Sequence, residues 1–279
     1  MSAPPPSTRS TGFAPPQPPQ LSGPPPSPVP AGFPWWLPFA ALLVAYGITI
    51  VLTVILAGIA GVRAGQDLPS AITLAGTFIQ DVLLVTVAVL LARSAGLRVS
   101  PGAFGLRRVS PWMLGLAVLT FVVFYGLLVG WSQLLDPNAQ DDAAEQLGAK
   151  DSTAALIAVA ILVTVVAPIV EEIFFRGVMF GALGRALGWL PGALITGAVF
   201  GLIHAGGTDA IFIVPLGMFG FVLCVLYRRT ASLLPGMGVH ALNNALALGV
   251  TLGWTPGQIA LIVIIAPVVV VALVSSVAE

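Results

Sequence analysis

The chain has 279 residues, of which 57% are hydrophobic and only 8% are Asp, Glu, Lys or Arg. An ordinary soluble domain carries roughly 25% charged residues, so this composition excludes a soluble globular protein and indicates a bilayer as the solvent. Eleven basic against eleven acidic residues also exclude a nucleic-acid binder, which needs a concentrated basic surface. The single cysteine, Cys224, cannot form an internal disulfide or a cysteine-rich metal site.

Residues 1–34 contain thirteen of the twenty-four prolines and a single charge, Arg9. The segment lacks the basic start, apolar core and small-residue cleavage site of a secretory signal, so it is predicted to be a disordered, partly polyproline-II tail outside the fold. A reader of Pro-rich motifs, such as an SH3-like domain, is one partner for the stretch 15–19, although a solvated spacer is the commoner meaning. Residues 35–279 are predicted to form the membrane domain.

A series of apolar runs follows Trp35 and Trp36, and about 20 helical residues are needed to cross a bilayer core. The predicted fold is therefore an all-α, polytopic membrane helical bundle with about eight transmembrane helices. The fifth run is the shortest. The expected spans are 36–60, 71–92, 112–135, 153–183, 191–205, 210–227, 232–250 and 257–276.

Orientation follows from the basic residues of the short loops, because cytoplasmic loops hold the excess of Lys and Arg. Eight basic residues lie in the N-terminal tail and in the loops on its side of the membrane, against two, Arg63 and Lys150, on the opposite side. This distribution predicts a multi-pass plasma-membrane protein with both termini in the cytoplasm. The acidic segment 136–151 is expected to be a solvated external loop.

Ionisable groups inside membrane spans are costly unless they are paired or hydrated, so each is a candidate functional residue. The helical rise puts the polar groups of spans four, five and seven roughly 12–20 Å deep in a ~30 Å core, which predicts one convergent site. A structural or water-lined role is favoured for Gln80 and Asp81 of span two, and both are left out of the site. The candidate residues are Glu171, Glu172, Arg176, His204, His240, Asn243 and Asn244.

Residue spacing separates the two neighbouring glutamates of span four. Glu172 and Arg176 are four apart on one helical face and are expected to form an ion pair, whereas Glu171 points about 100° away and stays free. Pro168 removes a backbone hydrogen bond three residues before Glu171 and is expected to kink or open the helix. One glutamate is thus predicted to be structural and the other available for chemistry.

The remaining polar groups suit a hydrolytic reaction. His240 and Asn244 are four apart and share one face of span seven. A glutamate in low-dielectric surroundings can take a proton from water, and a nearby imidazole can share or return that proton. The other imidazole and a carboxamide can stabilise a tetrahedral oxyanion. No Gly-x-Ser-x-Gly elbow occurs, so no catalytic serine is implied.

Three motifs occur in a fixed order: EExxxR at 171–176, FxxxH at 200–204 and HxxxN at 240–244. Together they resemble the CPBP family, the CAAX protease and bacteriocin-processing (ABI) intramembrane endopeptidases, and the chain is similar to the type II CAAX prenyl endopeptidase of that family. The resemblance covers roughly 110–150 residues of the C-terminal half. It implies an endopeptidase whose substrates range from prenylated CAAX tails to bacteriocin precursors.

The resemblance also implies a role for each matching residue. Glu171 aligns with the water-activating glutamate and His204 with its assisting histidine, while His240 and Asn244 align with the pair assigned to the oxyanion. The residues in supporting positions are Glu172, Arg176 and Phe200. Family members have been described as metalloproteases and as metal-independent glutamate proteases. No HExxH motif is present, yet zinc stays an alternative, with Glu171, His204 and His240 as its ligands.

Two other interpretations of the polar residues stay open. In the first, their side chains only form hydrogen bonds and ion pairs that hold packed helices together. In the second, the same cluster at the middle of the membrane belongs to a non-catalytic immunity or transport protein. Gly197 and Gly201 form a small-xxx-small ridge, which is expected to let span five pack closely against a neighbour and bring His204 within reach.

Overall fold

The computed structural model describes residues 33–96, 100, 102, 105–135, 142–205 and 207–278. The proline-rich tail predicted for 1–34 lies almost wholly outside these residues. Nine helices and no β-strand occur in the described part of the chain, which confirms the all-α bundle. The helices are α1 Leu37–Ile59, α2 Ser70–Ser94, α3 Pro111–Leu135, α4 Ala143–Gln146, α5 Thr153–Leu187, α6 Trp189–Leu202, α7 Ala210–Thr230, α8 Leu234–Thr251 and α9 Pro256–Ser275.

Six of these helices are long and apolar enough to cross a membrane, namely α1, α2, α3, α5, α7 and α9. Helices are also present at the two other predicted positions, but the expected count of eight spans is not confirmed. Helix α6 has 14 residues, which is about 21 Å and short of a ~30 Å core. Helix α8 carries His240, Asn243 and Asn244 near its middle, and these residues lower its apolar character.

Local sequence signals explain where several helices begin and end. The Ser152 hydroxyl accepts a hydrogen bond from the Ala155 amide at the start of α5. At the start of α9, Thr255 and Gln258 form a reciprocal capping box. Gly188 separates α5 from α6 with a φ of +88°, a conformation that glycine adopts without a steric penalty.

Helix α5 is the central element of the bundle, since it packs against α1, α2, α6, α7, α8 and α9. It is continuous but not uniformly α-helical, because two π-helical stretches, each wider than an α-helical turn, interrupt it. The first stretch ends two residues before Pro168. The distortion of the helix that Pro168 predicts therefore takes the form of a π-helical stretch just before it. The π-helical stretches are Leu162–Val166 and Glu172–Phe180.

Glycines bring the backbones of α6 and α7 into direct contact. A Cβ atom added at Gly197 would lie 2.7 Å from the Gly217 carbonyl oxygen, and one added at Gly201 would meet the Ile213 carbonyl oxygen. Only glycine allows two helices to approach this closely. The predicted close packing of the small-residue ridge is therefore confirmed, and it fixes the end of α6, where His204 follows.

Candidate active site

A buried ion-pair cluster joins three helices at Glu172. The Glu172 side chain is 1% exposed, and its Oε1 accepts hydrogen bonds from Arg176 Nη1 at 2.8 Å and His240 Nδ1 at 3.0 Å. Arg176 also donates through Nη2 to the Gly220 carbonyl oxygen of α7 at 3.2 Å. The predicted Glu172–Arg176 pair is confirmed, and it compensates two charges that would be expensive to bury alone.

His240 connects this cluster to Glu171. Because a carboxylate only accepts, the Nδ1 atom of His240 carries the proton in its bond to Glu172, and this bond fixes the orientation of the ring. The opposite nitrogen, Nε2, then lies 3.8 Å from Glu171 Oε2, which is beyond hydrogen-bond distance. A carboxylate that orients an imidazole toward a second reactive group is an arrangement that many hydrolytic sites share.

Glu171 differs sharply from its neighbour in its partners. Its side chain is nearly buried, and its Oε2 atom, like that of Glu172, has no hydrogen-bond partner among the described residues. Unlike Glu172, it forms no ion pair with Arg176 in the described part of the chain, as expected. The site thus contains a buried carboxylate whose nearest ionisable nitrogen, His240 Nε2, is beyond hydrogen-bond distance.

His204 lies in the turn that follows α6 and is half-buried. Its Nδ1 atom is 2.7 Å from the Phe200 carbonyl oxygen, an acceptor, so Nδ1 donates and Nε2 is the basic nitrogen of the neutral ring. No hydrogen bond joins His204 to Glu171 among the described residues. His240 is the imidazole that directly approaches Glu171.

The Phe200 ring packs between the functional side chains. Its centroid is 5.1 Å from the His204 ring and 5.8 Å from the His240 ring, and the Arg176 guanidinium carbon lies 4.6 Å from it. Stacking of a guanidinium on an aromatic face is favourable when both groups are desolvated. Phe200 therefore separates the two imidazoles and supports the buried arginine.

Asn244 is committed to a backbone contact. Its Nδ2 atom donates to the Val163 carbonyl oxygen of α5 at 2.9 Å, and its Oδ1 atom accepts from Asn243 Nδ2 at 3.1 Å. Asn243 in turn accepts a hydrogen bond from the Tyr125 hydroxyl of α3 at 3.2 Å. Asn244 thus lies beside α5, as expected, but one of its amide hydrogens is donated to the backbone of that helix.

Three residues of α1 and α2 lie on the other side of Glu171, where the sequence did not place the site. The Asp81 side chain is 2% exposed with an unpartnered Oδ2, and it is close enough for its charge to interact with that of Glu171. Gln80 Nε2 donates to the Tyr46 hydroxyl at 2.9 Å, and the hydroxyl lies 3.5 Å from the Ile203 carbonyl oxygen. The structural role expected for Gln80 is consistent with this contact. One signal existed, because Tyr46 is a tyrosine inside a span rather than at its interface.

Gly236 of α8 gives the Glu172 carboxylate its space. A Cβ atom at this position would lie 2.9 Å from Glu172 Oε2, which is closer than side-chain atoms normally approach. The Glu172 carboxylate cannot withdraw easily, since Arg176 and His240 both hold it. Because Gly236 lies outside the three motifs, this requirement was not predictable from the sequence.

The residues proposed as zinc ligands do not form a ligand set here. A catalytic zinc requires three protein donors about 2.0–2.2 Å from one point. Within the described ranges, no group of three His, Cys, Asp or Glu side chains is arranged to hold a metal ion. Glu171 and His240 approach each other at 3.8 Å, but no third donor of these types completes the set in this part of the chain.

Known proteins resemble the segment that carries this geometry. Residues 153–246, about a third of the chain, match the family model described as type II CAAX prenyl endopeptidase Rce1-like. The resemblance drawn from the motifs is confirmed for this segment. All seven motif residues of the site fall within it, and the match indicates a membrane endopeptidase.

One curated relative supports the same assignment over a similar length. The "Putative membrane peptidase YdiL" of Bacillus subtilis (strain 168) is 33% identical over 84 residues, which are 30% of this chain and 33% of that protein. The chain therefore covers only a third of the length of this relative. No solved structure is significantly similar to the chain. A multi-pass membrane protein with a protease-like core is what these comparisons and the helices support together.

Proposed function

We propose that the chain is an intramembrane endopeptidase that hydrolyses a peptide bond in a membrane-associated protein or peptide. The observation that carries this proposal is the unequal environment of the two glutamates. Glu172 Oε1 accepts hydrogen bonds from both Arg176 and His240, whereas Glu171 Oε2 has no hydrogen-bond partner among the described residues and lies 3.8 Å from His240 Nε2. A water bound at Glu171 would sit next to a general base and an imidazole at once.

In the proposed mechanism, Glu171 accepts a proton from water as the water oxygen attacks the scissile carbonyl carbon, and His204 assists through Nε2. The carbonyl oxygen becomes an oxyanion, which His240 stabilises by donating from Nε2 when its ring carries both protons. Collapse of the tetrahedral intermediate breaks the C–N bond. The proton on Glu171 then passes to the leaving amine, which restores the carboxylate.

The arrangement assigns distinct tasks to the supporting residues. Glu172 orients His240 through Nδ1, Arg176 compensates the charge of Glu172, and Phe200 separates the two imidazoles. The resemblance also gives Asn244 an oxyanion role, which stays a prediction beside its observed bond to Val163. We place the protein in the plasma membrane with both termini cytoplasmic, on the charge distribution of its loops.

The proposal is tested with detergent-purified protein and a library of quenched-fluorescent peptides. Cleavage by the wild type should fall ~10²–10⁴-fold in Glu171→Gln, the range expected for loss of a general base. The matched control is Glu145→Gln, which changes an exposed glutamate of α4 and should leave cleavage unchanged. Samples treated with EDTA, with metal content measured in parallel, separate a water-activating carboxylate from a zinc enzyme.

Retained cleavage in Glu171→Gln would contradict the proposed mechanism. Loss of cleavage on chelation and recovery with zinc would replace it with a metal-dependent one. A folded wild-type protein that cleaves no member of the library, or any candidate membrane peptide, would favour a non-catalytic immunity or transport protein.

A further inference from the structure

The first π-helical stretch of α5 leaves one carbonyl without a helical donor. The Ala167 amide bonds to the Leu162 carbonyl oxygen, five residues back, instead of to Val163 four residues back. The next amide along the chain belongs to Pro168, which has no N–H to donate. The Val163 carbonyl has therefore lost both the α-helical and the π-helical partner. An unsatisfied carbonyl in such a place costs about 1–3 kcal/mol.

Asn244 supplies the missing donor from another helix. Its Nδ2 atom lies 2.9 Å from the Val163 carbonyl oxygen, and the contact joins α8 to α5 one turn before Pro168. Glu171 follows three residues after Pro168, so the direction of its side chain depends on the backbone conformation of α5 around the missing hydrogen bond. The hydrogen bond from Asn244 thus stabilises the part of α5 that sets the position of Glu171.

A chain of hydrogen bonds holds the Asn244 amide in this orientation. A carbonyl only accepts, so the amide nitrogen of Asn244 must face Val163 and its oxygen must face Asn243. Asn243 then donates through its nitrogen and accepts through its oxygen from the Tyr125 hydroxyl. The donor and acceptor of each of the three hydrogen bonds follow from the Val163 carbonyl oxygen at one end, which can only accept. The chain connects α3, α8 and the π-helical stretch of α5.

We propose that Asn244 is a positioning residue, which substitutes for the N–H that Pro168 lacks and so holds Glu171 in place. This inference rests on the proposed function for its effect on cleavage, but the bond between the two helices is independent of that function. It differs from the oxyanion role that the resemblance implies. A residue that stabilises the oxyanion acts on the substrate, whereas this one acts on the backbone of α5.

The positioning role and the oxyanion role of Asn244 are distinguished by restoring a backbone N–H at residue 168. Four proteins are compared: the wild type, Asn244→Ala, Pro168→Ala and the double variant. In the double variant, the alanine amide at 168 can bond to the Val163 carbonyl, so the carboxamide is no longer needed. We expect Asn244→Ala to lose about 10²-fold in kcat with little change in KM, the loss expected for a small misplacement of a catalytic group. The double variant should recover at least tenfold.

A matched control uses a proline elsewhere in the bundle. Pro267 lies inside α9, where an added amide is not five residues after Val163 in α5 and cannot act as its helical donor, so Pro267→Ala combined with Asn244→Ala should recover nothing. A double variant as inactive as Asn244→Ala, with Pro168→Ala itself active, would overturn the proposal and return Asn244 to the oxyanion.

Thermal unfolding of the same proteins tests the contact without any substrate. The Tm of Asn244→Ala should fall, and Pro168→Ala should remove most of that fall, so the two substitutions are not additive. Additive changes in Tm would overturn the proposal even if the wild type cleaves peptides. Non-additive Tm values in a protein that cleaves nothing would support the contact and contradict only the proposed function.

Discussion

Two faces of helix α5 meet the bundle in opposite ways. The paired face, formed by Glu172 and Arg176, contacts α6, α7 and α8, and both of its charges have close partners. The open face, formed by Glu171, is close to Asp81 of α2 and Tyr46 of α1, and its nearest ion-pair partner in the described residues, His240, is 3.8 Å away. Two consecutive glutamates with the same chemistry therefore occupy environments that suit different tasks.

The difference shows how a membrane protein can hold a reactive carboxylate at depth. On the paired face, hydrogen bonds and charge compensation stabilise the helix and orient His240. On the open face, a carboxylate without a partner is energetically costly and is kept in place by the rest of the bundle. Structural stability and chemical availability are thus divided between adjacent residues of one helix.

The largest expected effect comes from breaking the paired face. Arg176→Met keeps much of the side-chain volume but leaves the Glu172 carboxylate buried without its arginine, which should destabilise the protein by about 3–5 kcal/mol. Chemical denaturation in detergent measures this loss. The double variant Glu172→Gln with Arg176→Met removes both charges and should be more stable than Arg176→Met alone. If Arg176→Met were as stable as the wild type, the Glu172–Arg176 ion pair would not compensate the cost of burying the Glu172 charge.

A smaller loss of stability is expected when the space beside Glu172 is filled. Gly236→Ala puts a methyl group 2.9 Å from Glu172 Oε2 and should cost about 1–3 kcal/mol, because the held carboxylate must shift. The control is Gly238→Ala on the same helix, where the added atom would lie 3.6 Å from Val271 Cγ2, an ordinary contact. That variant should be as stable as the wild type or up to about 1 kcal/mol more stable. Equal Tm values for the two variants would contradict the packing described here.

The smallest effect concerns the open face. Asp81→Asn removes a buried acid whose ionised form is desolvated and interacts unfavourably with Glu171, and whose Oδ2 has no partner among the described residues. We expect a gain of about 1 kcal/mol, which is roughly 2–4 °C in Tm. Asp67→Asn makes the same change in an exposed loop and should leave Tm unchanged. A lower Tm in Asp81→Asn would mean that its carboxylate has a stabilising partner.

The sequence predicted the long helices well because bilayer thickness alone sets their length. Helices α1, α3 and α9 are uniformly apolar runs, and their bounds differ from the expected ones by only a few residues. The count of eight spans is not confirmed at α6 and α8. These helices are short or polar, and only their packing against α5 and α7 shows how they are accommodated.

The candidate site was predictable where one helix carries both partners. The spacing of Glu172 and Arg176 on a helix was enough to predict their ion pair, and Pro168 was enough to predict a disturbance. The contact between Asn244 and Val163 was not predictable, because it depends on a π-helical stretch and on the relative position of two helices. The proximity of Asp81 to Glu171 was not predictable either, because it depends on the packing of α2 on α5.

In the proposed mechanism, Glu171 performs the chemistry and Glu172 maintains the structure. The direct test compares Glu171→Gln with Glu172→Gln in one preparation, by peptide cleavage and by thermal unfolding. We predict that Glu171→Gln loses cleavage ~10²–10⁴-fold without a fall in Tm, whereas Glu172→Gln lowers Tm because Arg176 stays buried without its carboxylate. The reverse pattern, or equal effects of both substitutions on both measurements, would contradict the account.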